Sequence, residues 1–442
     1  MVHGLRKPNW PLSRISFGLR LTSSDARRNS PAMYLIAKNR SFRLLFSATA
    51  ISNLGDGISA LAFPWLATLF TRDPFLIALV AFATRLPWFL FSIPVGVLTD
   101  RNDRRLLMVQ ADVFRFLLTA GVIGLILTSP ELPMEGDPLK YILALSGLAL
   151  LLGTAEVVRD NAAQTVLPSV VDKSDLEAAN GQLWSVEHIM GSFVGPPLAG
   201  ILIAMAVPVP FAVDAVTFAL AAWLVWCLSI PNRPVPKKRK IWLEIVEGWT
   251  WMRSHATVLR LAIMLGILNA VATMAVTVLI LFSQEILGLD AVGHGVLMTA
   301  GAAGGVLGGL VGPSVIARIG GQKGVVLALT LFPIPLIIIG LTSNPFLAAF
   351  ALFIEMVAAV LWNLVTVSYR QRLIPDDLLG RVNSLYRFFG WGMMPIGALL
   401  GGVIVSIAEP DLGRELSLRL PYLIGSGVMC IMLIYGAVRL RL

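Results

Sequence analysis

The sequence predicts an all-helical membrane protein in which twelve transmembrane helices form two six-helix bundles. Three observations carry that prediction: an oily composition, a succession of apolar runs of bilayer length, and a basic linker that divides those runs six and six. Of 442 residues, 56% are hydrophobic and 14% charged, which excludes an ordinary soluble globule. A helix needs about 20 apolar residues to cross the hydrocarbon core. Such runs fall at 43–70, 75–98, 106–129, 139–158, 181–206, 211–230, 257–284, 294–316, 324–341, 345–369, 381–407 and 417–438.

Lysine and arginine orient these spans. One alternating set of segments (1–42, 99–105, 159–180, 231–256, 317–323, 370–380 and 439–442) holds 25 of them, whereas the other connections hold only Arg72 and Arg414. Basic residues accumulate on the cytoplasmic side, so both termini are expected in the cytoplasm of a multi-pass protein of the bacterial plasma membrane. The net charge of +9 then reflects topology, and no nucleic-acid partner is expected. Cys227 and Cys430 both lie inside apolar spans. They form neither a metal spacing nor a disulfide framework, so neither a metal nor a cofactor is expected.

The chain divides into a basic tail (1–42), a first bundle (43–230), a linker (231–256) and a second bundle (257–442). Residues 1–32 are rich in Arg and Ser with Asp25 as the sole acid. A transit peptide has that composition; a disordered tail, or a start at Met33, accounts for it as well. The linker opens with PNRPVPKKRK and continues IWLEIVEGWTWMRSH, which sets Ile241, Ile245, Trp249 and Met252 at helical spacing. That pattern predicts an amphipathic helix at the membrane interface. QTVLP (Gln164–Pro168) after the fourth span is echoed by QRLIP (Gln371–Pro375) after the tenth, the mark of two related halves.

Between the second and third spans lies GVLTDRNDRR, Gly96 to Arg105. It resembles the major facilitator loop signature G-x-L-x-D-R-x-G-R-R, with Gly96, Asp100, Arg101, Arg104 and Arg105 in matching positions and Asp103 replacing the second Gly. The resemblance implies a cytoplasmic latch that breaks and re-forms as the halves tilt, and Asp112 and Arg115 of span three are expected to join it. The alternative is that the arginines only anchor topology. In span five, GSFVGPPLAG (Gly191–Gly200) is similar to the G-x-x-x-G-P-x-x-G-G element of exporter branches, with Ala199 replacing one Gly. Span eight carries GAAGGVLGGLVG, Gly301–Gly312. Small residues let helix backbones approach closely and proline bends a helix. These two faces are therefore expected to meet across the halves as a hinge, through Gly191, Gly195, Pro196, Gly200, Gly305 and Gly309; static close packing is the alternative.

Longer stretches narrow the resemblance. FRLLFSATAISNLGDGISALAFPWLA, AEVVRDNAAQTVLPSVVDKSDLEAANGQ and LIPDDLLGRVNSL resemble the enterobactin-exporter-like and macrolide-efflux-like branch of the major facilitator superfamily, the transmembrane secretion effectors. The similarity runs from about Asn39 into the last span. It implies two halves rocking about a midplane site and a secondary active exporter, not an enzyme. A drug, macrolide or siderophore-like amphiphile would leave as protons enter, with a monomer as the working unit. An importer or lipid flippase of the same fold, or a sensor that no longer transports, are the rival readings.

The energy source follows separately. No G-x-x-x-x-G-K-[ST] loop occurs, and no connection is long enough for a nucleotide-binding domain. An ion gradient remains, worth about 2.3 kcal/mol per charge per 100 mV.

A charge at mid-bilayer costs roughly 3 kcal/mol on insertion scales, so it needs a partner or a function. Asp56, flanked by Ser52, Asn53 and Ser59, lies near the middle of span one, and Glu355 near the middle of span ten. The family's cavity-lining spans one, four, seven and ten would offer Asp56, Glu156, Asn269 and Glu355 for proton coupling or cargo contact. Arg85, at similar depth in span two, is the competing structural partner for Asp56. Glu187, His188 and Arg387 rank lower. Trp65, Trp88, Trp362 and Trp391 suit either cargo stacking or packing.

Overall fold

The computed structural model describes residues 31–229 and 241–440, and these are helical throughout apart from short connections. The tail 1–30 and the PNRPVPKKRK part of the linker lie outside the described residues. In the first half, α1 spans Pro31–Lys38, α2 Arg40–Phe70, α3 Pro74–Arg101, α4 Arg104–Leu127, α5 Leu139–Val170, α6 Leu176–His188, α7 Gly195–Met205 and α8 Val209–Trp226. In the second, α9 spans Ile241–Ser254, α10 Ala256–Glu285, α11 Ala291–Ile319, α12 Gly321–Leu331, α13 Pro333–Leu341, α14 Pro345–Leu373 and α15 Asp376–Arg439.

Local chemistry sets many of these boundaries. Asn39, Asp73, Asp103, Asp290 and Asn344 each stand one residue before a helix and accept hydrogen bonds from its first free N–H groups, as short polar side chains do at this position. Asn39 also donates from Nδ2 to the Val170 carbonyl at 2.7 Å, which ties the start of α2 to the end of α5. Pro196 and Pro197 remove two backbone donors from the fifth span. The preceding turn, Ile189–Val194, widens into a π-helix in which the Gly195 N–H reaches the Met190 carbonyl, five residues back.

Among the described residues, ten helical stretches are long and apolar enough to cross a membrane. The one at Leu378–Arg439 is 62 residues long, about 93 Å of continuous helix at 1.5 Å per residue and some three times the hydrocarbon thickness. It does not run straight: Gly413 has φ 74°, a conformation that glycine adopts without steric cost, and the chain turns back there. The predicted spans 381–407 and 417–438 lie on either side of this turn. The first predicted span lies within α2, which is not one of the ten and carries Asn53 and Asp56 in its middle.

The halves meet chiefly along two lines, α3 against α15 and α7 against α11, with α10 also touching α2 and α3. A Cβ on Gly402 would stand 2.5 Å from the Pro74 carbonyl, one on Gly200 2.4 Å from the Ala291 carbonyl, and one on Gly295 2.5 Å from the Pro196 carbonyl. Such backbone approaches require glycine. They place Pro196 and Gly200 on the seam, but against the first turns of α11.

The expected meeting of the two glycine-rich faces is corrected accordingly. The run Gly301–Gly312 packs inside its own half on α14: a Cβ on Gly304 would lie 2.1 Å from the Phe353 carbonyl, and one on Gly312 2.6 Å from Leu364. Gly305 finds only Met356 at 3.7 Å, and Gly309 faces open space. Gly195 seats on Gly57 of α2, with 2.5 Å between its would-be Cβ and the Gly57 Cα. Gly191 lies on the same side, its would-be Cβ 3.7 Å from the Asn53 carbonyl. Helix phase explains the difference: α11 turns one small face to α7 near its start and another to α14 along its length.

The linker helix α9 docks on the second half. Met252 is fully buried, Trp249 stacks on Phe389 at 5.9 Å, and Glu247 pairs with Arg381.

Candidate transport site

The interior of the first half holds a network of charge. Three polar side chains on α2, Ser52, Asp56 and Ser59, follow one another at near-helical spacing, so they share a face. Arg115 of α4 donates from Nη2 to Asp56 Oδ1 and from Nη1 to Ser52 Oγ at 3.2 Å. Its guanidinium lies over the Phe218 ring of α8, 3.9 Å from the centroid, a cation–π seat for a desolvated cation. Asp112, with no exposed surface, stands between two arginines, 3.8 Å from Arg115 Nη1 and 3.6 Å from Arg159 Nε. Arg159, 1% exposed, reaches the Asp160 carboxylate at 3.5 Å and donates to the Ala48 carbonyl at 3.3 Å.

Asp214 of α8 adds a carboxylate that the reading of the sequence missed. It is fully buried and accepts a 2.6 Å hydrogen bond from Ser59 Oγ. Gly55 admits it to α2, since a Cβ there would lie 2.3 Å from Asp214 Oδ1 and from Thr217 Oγ1. Its signal in the sequence was weaker than that of Asp56: an acid inside the apolar run VPFAVDAVTF, but only the fourth residue of the predicted span 211–230. Glu156 and Asp160 of α5 are less buried than Asp112, and Glu156 feels the charges of Asp56, Arg115, Asp160 and Arg85.

Several expected placements change. Arg85 is exposed and makes no ion pair with Asp56; Arg115 takes that position, because its long side chain crosses α8 to the Ser52–Asp56 face. Asp112 and Arg115 do not belong to the loop latch either. Arg115 lies eleven residues, about 16 Å, from the start of α4, and both groups are enclosed by this network.

The loop itself is secured within the first half. Arg104 Nη1 donates to the Thr165 carbonyl at 3.0 Å. Arg105 Nη1 donates to the Leu228 carbonyl at 3.0 Å, and its guanidinium stands 5.4 Å from the Trp226 ring. Arg101 is exposed, Gly96 has open space where a Cβ would be, and the Asp100 side chain lies outside the described residues. Asp103 caps α4.

The second half is sparser. Glu355 of α14 has no hydrogen-bond or ion-pair partner among the described residues and is incompletely buried. Asn269 Nδ2 of α10 donates to the Gly390 carbonyl of α15 at 3.0 Å. Trp362 is core, 1% exposed, and so unsuited to cargo stacking in this arrangement. Trp88 and Trp391 meet edge to face at 5.5 Å across the halves, Phe89 and Phe388 meet at 5.0 Å, and the Arg387 guanidinium stands 5.6 Å from the Trp391 ring. Trp65 lies 6.5 Å from His294, also across the halves, and His188 packs edge-on to Trp184.

All hydrogen bonds and ion pairs that join the halves among the described residues lie at the Arg72 end of the bundle: Arg72 to Gln284, Arg72 to Glu285, Gln284 to Thr68, and Arg414 to the Arg72 carbonyl.

Known proteins agree with this architecture. The chain is 23% identical to the staphyloferrin A transporter of Staphylococcus aureus, covering 83% of this chain and 89% of that protein. It is 25% identical to the multidrug efflux pump Tap of Mycolicibacterium fortuitum, with coverages of 88% and 95%. Its identity to macrolide efflux protein A of Streptococcus pyogenes is 25%, with coverages of 82% and 88%. A bacterial homologue of the iron transporter ferroportin in its inward-facing state superposes with a TM-score of 0.71 at 16% identity, over 90% of this chain and 99% of that one; at that identity the likeness shows a shared fold. The family model for transmembrane secretion effectors matches residues 34–427. The chain therefore belongs to the transmembrane secretion effector family of the major facilitator superfamily.

Proposed function

We propose that this chain is a secondary active exporter that moves an amphiphilic small molecule out of the cell by alternating access, in exchange for protons. The observation that carries the proposal is the charge network of the first half. Asp56, Asp112, Glu156, Asp160 and Asp214 are gathered around only two buried guanidiniums, Arg115 and Arg159. Unneutralised charge in a low-dielectric interior is costly, so a surplus of carboxyls is an arrangement that takes up and gives back protons. Glu355, without an ion-pair partner among the described residues of the opposite half, would complete a cavity shared by both bundles, with Asn269 and the Trp88–Trp391 pair along its side.

The bias of lysine and arginine supports a cytoplasmic Arg101 end. With that orientation the bonds of Arg72 and Arg414 that join the halves lie on the exterior side, which supports reading this arrangement as the state that loads cargo from the cytoplasm. The efflux roles of the macrolide and multidrug relatives favour outward movement, and the three relatives together suggest a drug, macrolide or siderophore as cargo class. Twelve crossings with both termini cytoplasmic, a single chain as the working unit, and 231–256 as the connector between bundles complete the reading.

The test is extrusion of siderophores, macrolides and cationic dyes from cells and from vesicles, with and without a protonophore. Gradient-dependent extrusion of any of them supports the proposal. If purified protein moves none of them under an imposed pH gradient, a sensor or scaffold role replaces it.

A further inference from the structure

Arg72 and Arg414 are the two exceptions to the Lys and Arg bias of the connections, and the structure brings both to one place. Arg414 follows the Gly413 turn and so projects from the reversal between the last two predicted spans. Its Nε donates to Glu285 Oε2 at 2.8 Å and its Nη2 to Glu285 Oε1 at 3.0 Å, a bidentate grip on the last residue of α10. Nη1 holds Glu409 Oε2 at 2.9 Å. Nη2 also donates to the Arg72 carbonyl at 2.8 Å, which carries the grip into the other half. Arg72 returns the contact, its Nη1 donating to Gln284 Oε1 and lying 3.9 Å from Glu285 Oε1. Gln284 Nε2 donates to Thr68 Oγ1 at 3.0 Å.

Isolated exposed ion pairs contribute little. This one is bidentate, shared with a second carboxylate and a backbone carbonyl, and 27% exposed at Arg414, features that strengthen such bonds. Beneath it the seam has no slack, with Gly200 on Ala291 and Gly402 on Pro74. Ser283, one residue before Gln284, bonds His294 at 2.6 Å, and the His294 ring lies beside Trp65 of the first half. The last turn of α10 thus makes successive bonds that reach α11, the first half and the turn before the twelfth predicted span.

From these contacts we infer that Arg414 is the pin of a gate at the Arg72 end, which holds the two halves together there and must be released before that end opens. The inference rests on the alternating-access reading, and it places the reversible clasp on the face opposite to the GVLTDRNDRR loop.

The experiment is a distance measurement between spin labels at Glu135 and Phe346, exposed positions of the two halves near this end, in full-length protein with Cys227 and Cys430 replaced by Ser. It is made in liposomes without cargo or gradient, so the outcome does not depend on what the protein transports or on its driving ion. Arg414→Ala should move the distribution towards longer distances, changing the ratio of separated to closed populations about fivefold, the scale of a pair embedded in a network. Glu285→Gln should act in the same direction. Arg419→Ala is the control. Arg419 lies on the same face, but its bonds to the Gly340 and Thr342 carbonyls, Ser343 and Glu415 stay within the second half, so its loss should leave the distances unchanged. Unchanged distances in both Arg414→Ala and Glu285→Gln, or an equal shift in Arg419→Ala, would overturn the inference.

Discussion

Arg115 of α4 and Asp56 of α2 form an ion pair inside the first bundle, with Arg115 97% withdrawn from solvent and Asp56 still one quarter exposed. One partner is anchored and the other faces open space. Replacing only the anchored partner, Arg115→Met, leaves Asp56 without its counterion and Asp112 with Arg159 alone, and should cost about 3–5 kcal/mol of stability. Arg115→Met combined with Asp56→Asn should recover a large part of that. Thermal unfolding of the detergent-purified proteins checks the difference, and equal loss in single and double variants would argue against the pair.

Asp214 and Ser59 provide a second measurement. Removing the hydroxyl in Ser59→Ala leaves Asp214 Oδ2 without its 2.6 Å donor, an unsatisfied buried acceptor that costs about 1–3 kcal/mol. Asp214→Asn should be milder, because an amide oxygen still accepts from Ser59. The order of the two melting temperatures is the readout.

The glycines of α11 should divide sharply. Gly304→Ala drives a methyl into the Phe353 carbonyl at 2.1 Å and should destabilise the protein by about 1–3 kcal/mol, as overpacking does. Gly309→Ala meets nothing within 4 Å and should be neutral or stabilising by up to about 1 kcal/mol through helix propensity. Thermal unfolding of the two variants side by side decides the matter.

Asp103 stands where the resembling loop signature has glycine, and its capping role explains why the exchange is tolerated. Aspartate and glycine are both accepted at the N-cap, whereas alanine costs about 1 kcal/mol. Asp103→Gly should therefore retain near-native stability and Asp103→Ala should lose more, a ranking that denaturation in detergent can test.

Much of this architecture was legible in the residues. Apolar runs marked the helices, the Gly-Pro-Pro stretch marked the break in regular helix of the fifth span, and the cost of charge within the membrane marked Asp56 and Glu355. Partners were harder to read. Whether Asp56 meets Arg85 or Arg115 depends on helix rotation and on the reach of a long side chain over Phe218, neither of which span depth encodes. Likewise, the glycines of α11 declare that something approaches closely, but not that α14 does so for most of their length. The proposed gate at Arg414 gathers residues 284, 285, 409 and 414 by the packing of the second half and meets residue 72 only where the two halves close on each other.

The central claim is that the carboxylates of the charge network in the first half couple proton entry to cargo exit. Its most direct test reconstitutes the wild-type chain and Asp56→Asn in liposomes and follows, under an imposed pH gradient, both internal pH and the movement of a cargo identified by the extrusion screen. The account predicts that wild type links proton flux to uphill cargo movement, while Asp56→Asn, still folded, moves cargo only down its own gradient and no longer transports protons. Undiminished proton-driven transport by Asp56→Asn would contradict it.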